Sequence, residues 1–249
     1  MLEVMGLIGY VIAVVIVGIK LYFKTDGWMA KVDRVTPFVE TSTVVKYALL
    51  AFILALFLEG AILYLFHSES LTVTLLALVL GVGLIEEGAK LLPYLSSRGS
   101  ELYRWHLTVK VALAFAVIEA VLYGLVLFFS GNIFGALIRI IVVMFHVAFT
   151  TIALGDALEG DAVLGYLKAS ALHSLYDAPV LLAFAGAPVL IIAVVSVIAL
   201  IYTYSSVDEA FGRAYAKAKR ELEERKRKAQ EFWAERGVEV AGSDLTSSL

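Results

Sequence analysis

Apolar residues along this chain come in long blocks, not in the alternating or 3.6-residue patterns of water-soluble elements. Seven blocks, at about 5–23, 47–66, 71–92, 108–130, 133–154, 162–184 and 188–204, read as membrane-crossing helices. A hydrocarbon core roughly 30 Å thick needs about 20 mostly apolar residues in helical form. The last block is short and follows Gly186 and Pro188, so blocks six and seven could alternatively form one broken hairpin. The first block carries Glu3 where a signal peptide has a basic flank, runs long, and is followed by no small-x-small site, so no cleavable signal is expected. The pattern predicts an all-α, polytopic membrane helix bundle.

Composition agrees with the pattern. Of 249 residues 61% are hydrophobic and 17% charged, and mean hydropathy is +0.88, whereas soluble domains carry roughly 45–50% apolar and about 25% charged residues. A soluble enzyme, a disordered chain and a nucleic-acid binder are thereby excluded. Cysteine is absent, which removes disulfides, thiolate metal ligands and a cysteine nucleophile.

The net charge of −3 matters less than where the cations fall. Lys24, Lys31, Arg34 and Lys46 lie between blocks one and two, Arg98 and Arg104 between three and four, and nine lysines and arginines follow block seven. The connections 67–70, 131–132 and 185–187 hold none, so the N-terminus is expected outside and the C-terminus cytoplasmic. This organisation predicts a transmembrane domain over 1–206, a charged cytoplasmic tail helix over 207–236 and a flexible end over 237–249. Glu221–Arg225, Glu223–Arg227 and Glu224–Lys228 support the tail helix as i,i+4 pairs. Eight bases against three acids between 213 and 228 suit an anionic inner leaflet. A multi-pass cell-membrane location and contact with the lipid bilayer follow.

Ionisable groups within the blocks are the informative residues, because each costs roughly 2.5–3.5 kcal/mol on insertion scales unless it finds a partner or a cavity. Lys20, Lys90, Lys110 and Lys168 lie near cytoplasmic ends, where long side chains can snorkel. Glu59 and Arg139 lie ~9–11 Å below the outer surface at about 1.5 Å per residue, and an ion pair between them is expected. Glu86 and Glu87 sit about 8 Å from the cytoplasmic end of block three, His146 ~10 Å from that side, and Glu119 and His173 ~16 Å. Four helices thus deliver acids and imidazoles to one slab. Lys90, Thr150 and Asp177 fall on the same helical faces as Glu86/Glu87, His146 and His173, and Phe115 precedes Glu119 by four. A lone buried histidine is more often a packing residue than a catalyst. Four separate polar sites at matching depths would each carry their own burial cost, which favours a shared site.

Two hydrolytic chemistries suit these groups. A carboxylate can take a proton from water while other groups hold the oxyanion; alternatively, histidine and carboxylate can ligate a divalent metal such as zinc that activates the water. His146, His173, Glu86 and Glu87 are the candidate ligands. No H-E-x-x-H and no G-x-S-x-G occurs. Tyr176-Asp177 and Gly155-Asp156 superficially match presenilin-type aspartates, but their order is reversed and Ala153 replaces the first glycine. A proton-coupled transporter or an immunity-like binding protein could use the same acids as a relay, although no inverted repeat is visible. A retinal protein would require a lysine in block seven, and there is none.

With those residues in view, the sequence resembles the PrsW family, membrane proteins related to the CAAX prenyl endopeptidases and Abi proteins. The resemblance rests on Glu86-Glu87-x-x-Lys90, Phe115-x-x-x-Glu119, His146-x-x-Phe149-Thr150 and His173-x-x-x-Asp177, spread over about 81–180. It implies an intramembrane endopeptidase with Glu86 or Glu87 activating water and with His173 and Asp177 on the oxyanion side. The catalytic set would be Glu86, Glu87, Glu119, His146, His173 and Asp177, supported by Lys90, Phe115, Phe149 and Thr150. The CAAX enzymes carry histidine where this chain has Glu119, so either Glu119 or His146 would help hold the water. The resemblance implies a membrane-anchored protein as substrate, as with the anti-sigma factors cut by PrsW-type proteins, and leaves open whether a metal is needed. These groups are expected to line one wet cavity in the inner half of the membrane, open to the cytoplasm or to lipid.

Overall fold

The computed structural model describes residues 1–67 and 69–235. Arg236 and the segment 237–249, expected to end the tail helix and to form a flexible end, lie outside the described residues. The described chain is helical throughout: α1 (Leu2–Val32), α2 (Thr41–Leu65), α3 (Leu71–Lys90), a one-turn α4 (Leu92–Ser96), α5 (Glu101–Phe129), α6 (Ile133–Ala157), α7 (Ala162–Phe184) and α8 (Leu190–Ala234). Local chemistry sets several of the starts. Ser70, Ser100, Asn132 and Asp161 each accept a backbone N–H from the first turn of the helix that follows, relieving donors that have no intrahelical partner.

Six helices, all but α4 and α7, combine the length and apolarity of a membrane span. The protein is therefore a polytopic helical membrane bundle. The seventh expected span, α7, is 23 residues long, but Lys168, Ser170, His173, Ser174 and Asp177 make it polar for a crossing segment. Its length nevertheless carries it from Asp161, just after α6, to the turn before α8. That turn is closed at Gly186, whose φ of 68° suits glycine. Blocks six and seven are thus two separate helices.

Contacts fix the direction of the helices. The Glu3 carboxylate accepts from the backbone N–H of Val189 at 2.5 Å and of Leu190 at 2.7 Å, placing an acid on the exposed donors of α8, where the helix dipole favours it. Some thirty ångströms along the same pair of helices (about 1.5 Å per residue), Lys24 and Trp28 both donate to Asp208 at 2.8 Å. α1 and α8 therefore run parallel. The N-terminus and the α7–α8 turn share one end of the bundle, and the lysine- and arginine-rich connections share the other, called the basic end below.

α6 is the axis of the bundle. Of its most apolar window 72% is buried, against 17–28% in the other five apolar helices, so it is wrapped by protein while the others present isoleucine, valine, leucine and phenylalanine outward, as lipid-facing helices do. α8 continues without a break through 204–207, and Val207, Ala210, Phe211, Ala214 and Ala218 stay buried beyond the apolar block. Phe211 stacks on Trp28 and meets Trp105 edge-on. The first turns of the charged segment thus belong to the packed core.

α7 is held by two adjustments that put its polar face in register. Pro179 cannot donate to the carbonyl of Leu175 four residues back, and the Ser196 hydroxyl donates to that oxygen instead at 2.5 Å. The next carbonyl, Tyr176, accepts from the hydroxyl of Tyr10. On the other flank, α3 approaches α7 at Gly83. A Cβ there would run into the carbonyl of Ser170 and the hydroxyl of Ser174. That close approach, one turn before Glu86 and Glu87, brings the two glutamates against His173.

Candidate active site

α3, α5, α6 and α7 converge on one buried polar cluster. Glu86, Glu87 and Lys90 share a face of α3, and the Lys90 ammonium stands 3.1 Å from Glu86 Oε2 and 2.8 Å from Glu87 Oε1. Lys90 was expected to snorkel; it is fully buried instead, because the stem that could reach water is turned inward by two carboxylates. Its charge also faces the Phe115 ring at 4.7 Å, a cation–π contact. Lys110 and Lys168 do find partners toward the basic end, in Asp33 at 3.2 Å and Asp156 at 2.5 Å.

The two glutamates differ in how fully they are engaged. Glu87 Oε1 is shared by Lys90 and by His173 Nδ1 at 2.9 Å, and Oε2 accepts the Thr150 hydroxyl at 2.9 Å. Glu86 Oε2 lies 3.6 Å from His146 Nδ1 and 3.7 Å from His173 Nε2, and makes no well-formed hydrogen bond despite being buried. Glu87 is thus a clamped acid, whereas Glu86 holds an oxygen between two imidazoles that is ion-paired with Lys90 but accepts no hydrogen bond.

The neighbours assign the nitrogen roles. An ammonium can only donate, so His146 Nδ1, 2.9 Å from Lys90 Nζ, accepts. Its Nε2 then carries the hydrogen and lies 3.1 Å from Glu119 Oε2, a close approach without hydrogen-bond alignment, so that oxygen, like Glu86 Oε2, accepts no hydrogen bond. His173 Nδ1 faces a carboxylate and therefore carries hydrogen toward Glu87, while Nε2 looks at Glu86 and, at 3.3 Å, at Asp177. The two rings meet edge-on at 5.0 Å, and Phe149 stacks on His173 at 5.3 Å.

All ten residues marked by sequence as catalytic or supporting therefore meet in or against one cluster. The expected Glu59–Arg139 pair does not form. Arg139 Nη1 reaches Glu119 Oε1 at 3.3 Å, with its guanidinium over Tyr123 at 4.8 Å, because Arg139 lies on the α6 face that turns to α5, not to α2. Glu59 has a buried carboxylate oxygen without a hydrogen-bond partner and lies within electrostatic range of Glu86, His173 and Asp177. Arg139 is the participant that sequence reasoning left outside the site. Its spacing of seven residues from His146, two helical turns on one face, was the available signal. Asp156 bonds to Lys168 and Arg213, and among the described residues it makes no ion pair or hydrogen bond with the cluster, so Asp156 and Asp177 do not pair.

The cluster is closed on one side and less so on the other. Side chains of Glu87 and Lys90, toward the basic end, have no exposure, whereas Asp177 and Arg139, farther from it, keep 26% and 30%. The groups are in direct contact rather than spread around a large void, and a cavity of about 340 Å³ lies elsewhere, at the basic end.

A family model described as PrsW family intramembrane metalloprotease matches residues 41–203, from the start of α2 into α8. The chain belongs to the PrsW family. No curated protein and no solved structure matches it. As a PrsW-family member it is a multi-pass membrane protein of an intramembrane protease family, and the family's description raises the question of a metal.

Glu86, His146 and His173 are a credible donor set for this PrsW-family chain: one ligand atom from each lies within 4.8 Å of the others. The 3.6 and 3.7 Å separations from Glu86 Oε2 are close to the ~3.3–3.6 Å expected between donors at zinc bond lengths of about 2.0–2.2 Å. The Glu86 oxygen that accepts no hydrogen bond and the Glu87 contact to His173 Nδ1, which orients a ligating imidazole in the manner of outer-shell carboxylates, also fit. Lys90 is the competitor. Its ammonium holds His146 Nδ1 and would have to turn aside.

Proposed function

We propose that this protein is an endopeptidase that hydrolyses peptide bonds of membrane-anchored proteins, with Glu86 as the group that meets the attacking water. The observation that carries the reading is the unsatisfied Glu86 oxygen between His146 and His173. This oxygen is ion-paired with Lys90 at 3.1 Å but accepts no hydrogen bond, so it can still accept one from a water molecule. Glu87, saturated by Lys90, His173 and Thr150, is a positioning residue.

In this mechanism water adds to the scissile carbonyl as its proton passes to Glu86. The negative charge that develops on the carbonyl oxygen is taken up by a hydrogen on His173 Nε2, the imidazole being held by Glu87 at Nδ1 and faced by Asp177 at Nε2. When the C–N bond breaks, the proton held by Glu86 goes to the departing amine, leaving a carboxylic acid and an amine as products. Glu119, anchored by Arg139, faces His146 Nε2 at 3.1 Å, and His146 in turn flanks the reacting water.

The donor geometry also supports a metal-dependent version of the same hydrolysis. There, Glu86, His146 and His173 would hold a divalent cation such as zinc, which when bound lowers the pKa of water and polarises the carbonyl. Glu87 and Glu119 would then orient the two imidazoles. The resemblance to CAAX-type enzymes and the anti-sigma-factor substrates of PrsW-type proteins suggest a single-span protein as substrate. The cytoplasmic placement of the basic end follows from the positive-inside rule.

The test is to reconstitute the purified protein with a single-span substrate and compare wild type with Glu86→Gln and His173→Ala, with elemental analysis and chelation in parallel. Loss of cleavage in both variants is expected. Equal cleavage by all three proteins would overturn the enzymatic reading, and a pH-driven flux without cleavage would place the acids in a transport relay.

A further inference from the structure

At the basic end, far from the Glu86 cluster, the α1–α2 connection and the extension of α8 enclose the cavity of about 340 Å³. Arg34 from the α1–α2 connection and Arg225 and Lys226 from α8 line it together with Glu221. Arg34 makes no ion pair or hydrogen bond among the described residues. Arg225 and Lys226 reach Glu221 and Glu223 only at 3.9 Å, on an exposed helix face, where such pairs contribute little. Three cations from segments nearly two hundred residues apart in sequence thus converge on one concavity with one acid among them.

The level of the cavity identifies the anion. Thr36 and the carbonyl of Pro37 meet His106 Nδ1 at 2.9 Å each, and Leu102 lines the cavity floor. The apolar run of α5 begins at about 108, so these contacts span roughly 3–9 Å beyond the hydrocarbon edge at about 1.5 Å per residue. The polar headgroup layer occupies about 5–8 Å on each side. Phe38, 84% exposed at the rim, and Leu102 and Leu222 in the wall supply apolar surface of the kind a glycerol backbone contacts. Guanidinium forks match phosphate oxygens.

We propose that this cavity binds the phosphate of an anionic phospholipid of the inner leaflet, and that Arg34, Arg225 and Lys226 are its ligands. A free phosphate would satisfy the same cations without using Phe38 or the headgroup level. Occupancy would tie the α1–α2 connection to the α8 extension, and both of those segments pack against the start of α5.

The full chain, purified in detergent, is titrated by native mass spectrometry with dioleoylphosphatidylglycerol, dioleoylphosphatidylcholine or inorganic phosphate. Phosphatidylglycerol is expected to bind on the order of tenfold more tightly than phosphatidylcholine, and Arg34→Gln/Arg225→Gln/Lys226→Gln to remove that preference. A charge-matched control, Lys219→Gln/Arg220→Gln/Lys228→Gln, keeps it. Arg34→Gln alone, which breaks no hydrogen bond or ion pair among the described residues, already weakens binding. Unchanged lipid preference in the cavity variants, an equal loss in the control, or binding of inorganic phosphate without phosphatidylglycerol each overturns the proposal.

Discussion

Arg139 Nη1 lies 3.3 Å from Glu119 Oε1, and the other oxygen of that carboxylate lies 3.1 Å from His146 Nε2. One glutamate therefore joins a cation in the half of the bundle away from the basic end to an imidazole of the central cluster. Replacing Arg139 by leucine leaves Glu119, 9% exposed, without its cation. The single change is expected to lower stability by about 1–3 kcal/mol, less than a fully buried pair because Arg139 is itself 30% exposed. Arg139→Leu/Glu119→Leu should be less destabilising than the two single changes added together. Additive melting shifts would refute the coupling. Adding Glu59→Leu to Arg139→Leu, by contrast, is expected to be additive.

Glu86 and Glu87 should separate in mutational tests even though they are adjacent. Glu87→Gln removes the carboxylate that bonds Lys90, His173 and Thr150 at once, and is expected to lower thermal stability by the equivalent of about 2–4 kcal/mol as well as activity. Glu86→Gln leaves those contacts in place. It should abolish cleavage with little change in melting. The reverse pattern would reassign the reacting carboxylate to Glu87.

Gly83 is the steric condition for the site. Gly83→Ala places a methyl group against the Ser170 carbonyl and the Ser174 hydroxyl, so α3 must move away from α7. Overpacking of this kind costs about 1–3 kcal/mol. Because Glu87 and His173 are joined across that contact, activity is expected to fall by more than the stability loss alone accounts for. A stable, fully active Gly83→Ala protein would contradict the packing.

Lys90 separates the two hydrolytic versions. Lys90→Met removes the ammonium that occupies His146 Nδ1 and faces Glu86. If Glu86, His146 and His173 hold a cation, the variant should retain zinc at least as well as wild type by elemental analysis, since a competing positive charge is gone. If they act without one, neither protein should contain stoichiometric metal, and chelator should leave wild-type cleavage unchanged.

Sequence alone was enough to determine the helical membrane class, because backbone groups in hydrocarbon must be satisfied within a helix and long apolar blocks leave no other solution. It also marked Glu86, Glu87, Glu119, His146 and His173 as one set, since buried charge is costly and their depths match along four helices. Depth comes from counting residues along one helix. Which way a helix faces does not, and that is where the tertiary structure decided. It turned Arg139 to Glu119 in place of Glu59, drew Lys90 inward between two carboxylates, and put Glu3 on the first turn of α8. It also separated the adjacent glutamates into one whose oxygens are hydrogen-bonded and one with an oxygen that accepts no hydrogen bond. Helix rotation and close approach are set by contacts between segments distant in the chain, such as Gly83 on Ser170 and Ser196 on the carbonyl freed by Pro179, and a residue count along a single helix carries no record of them.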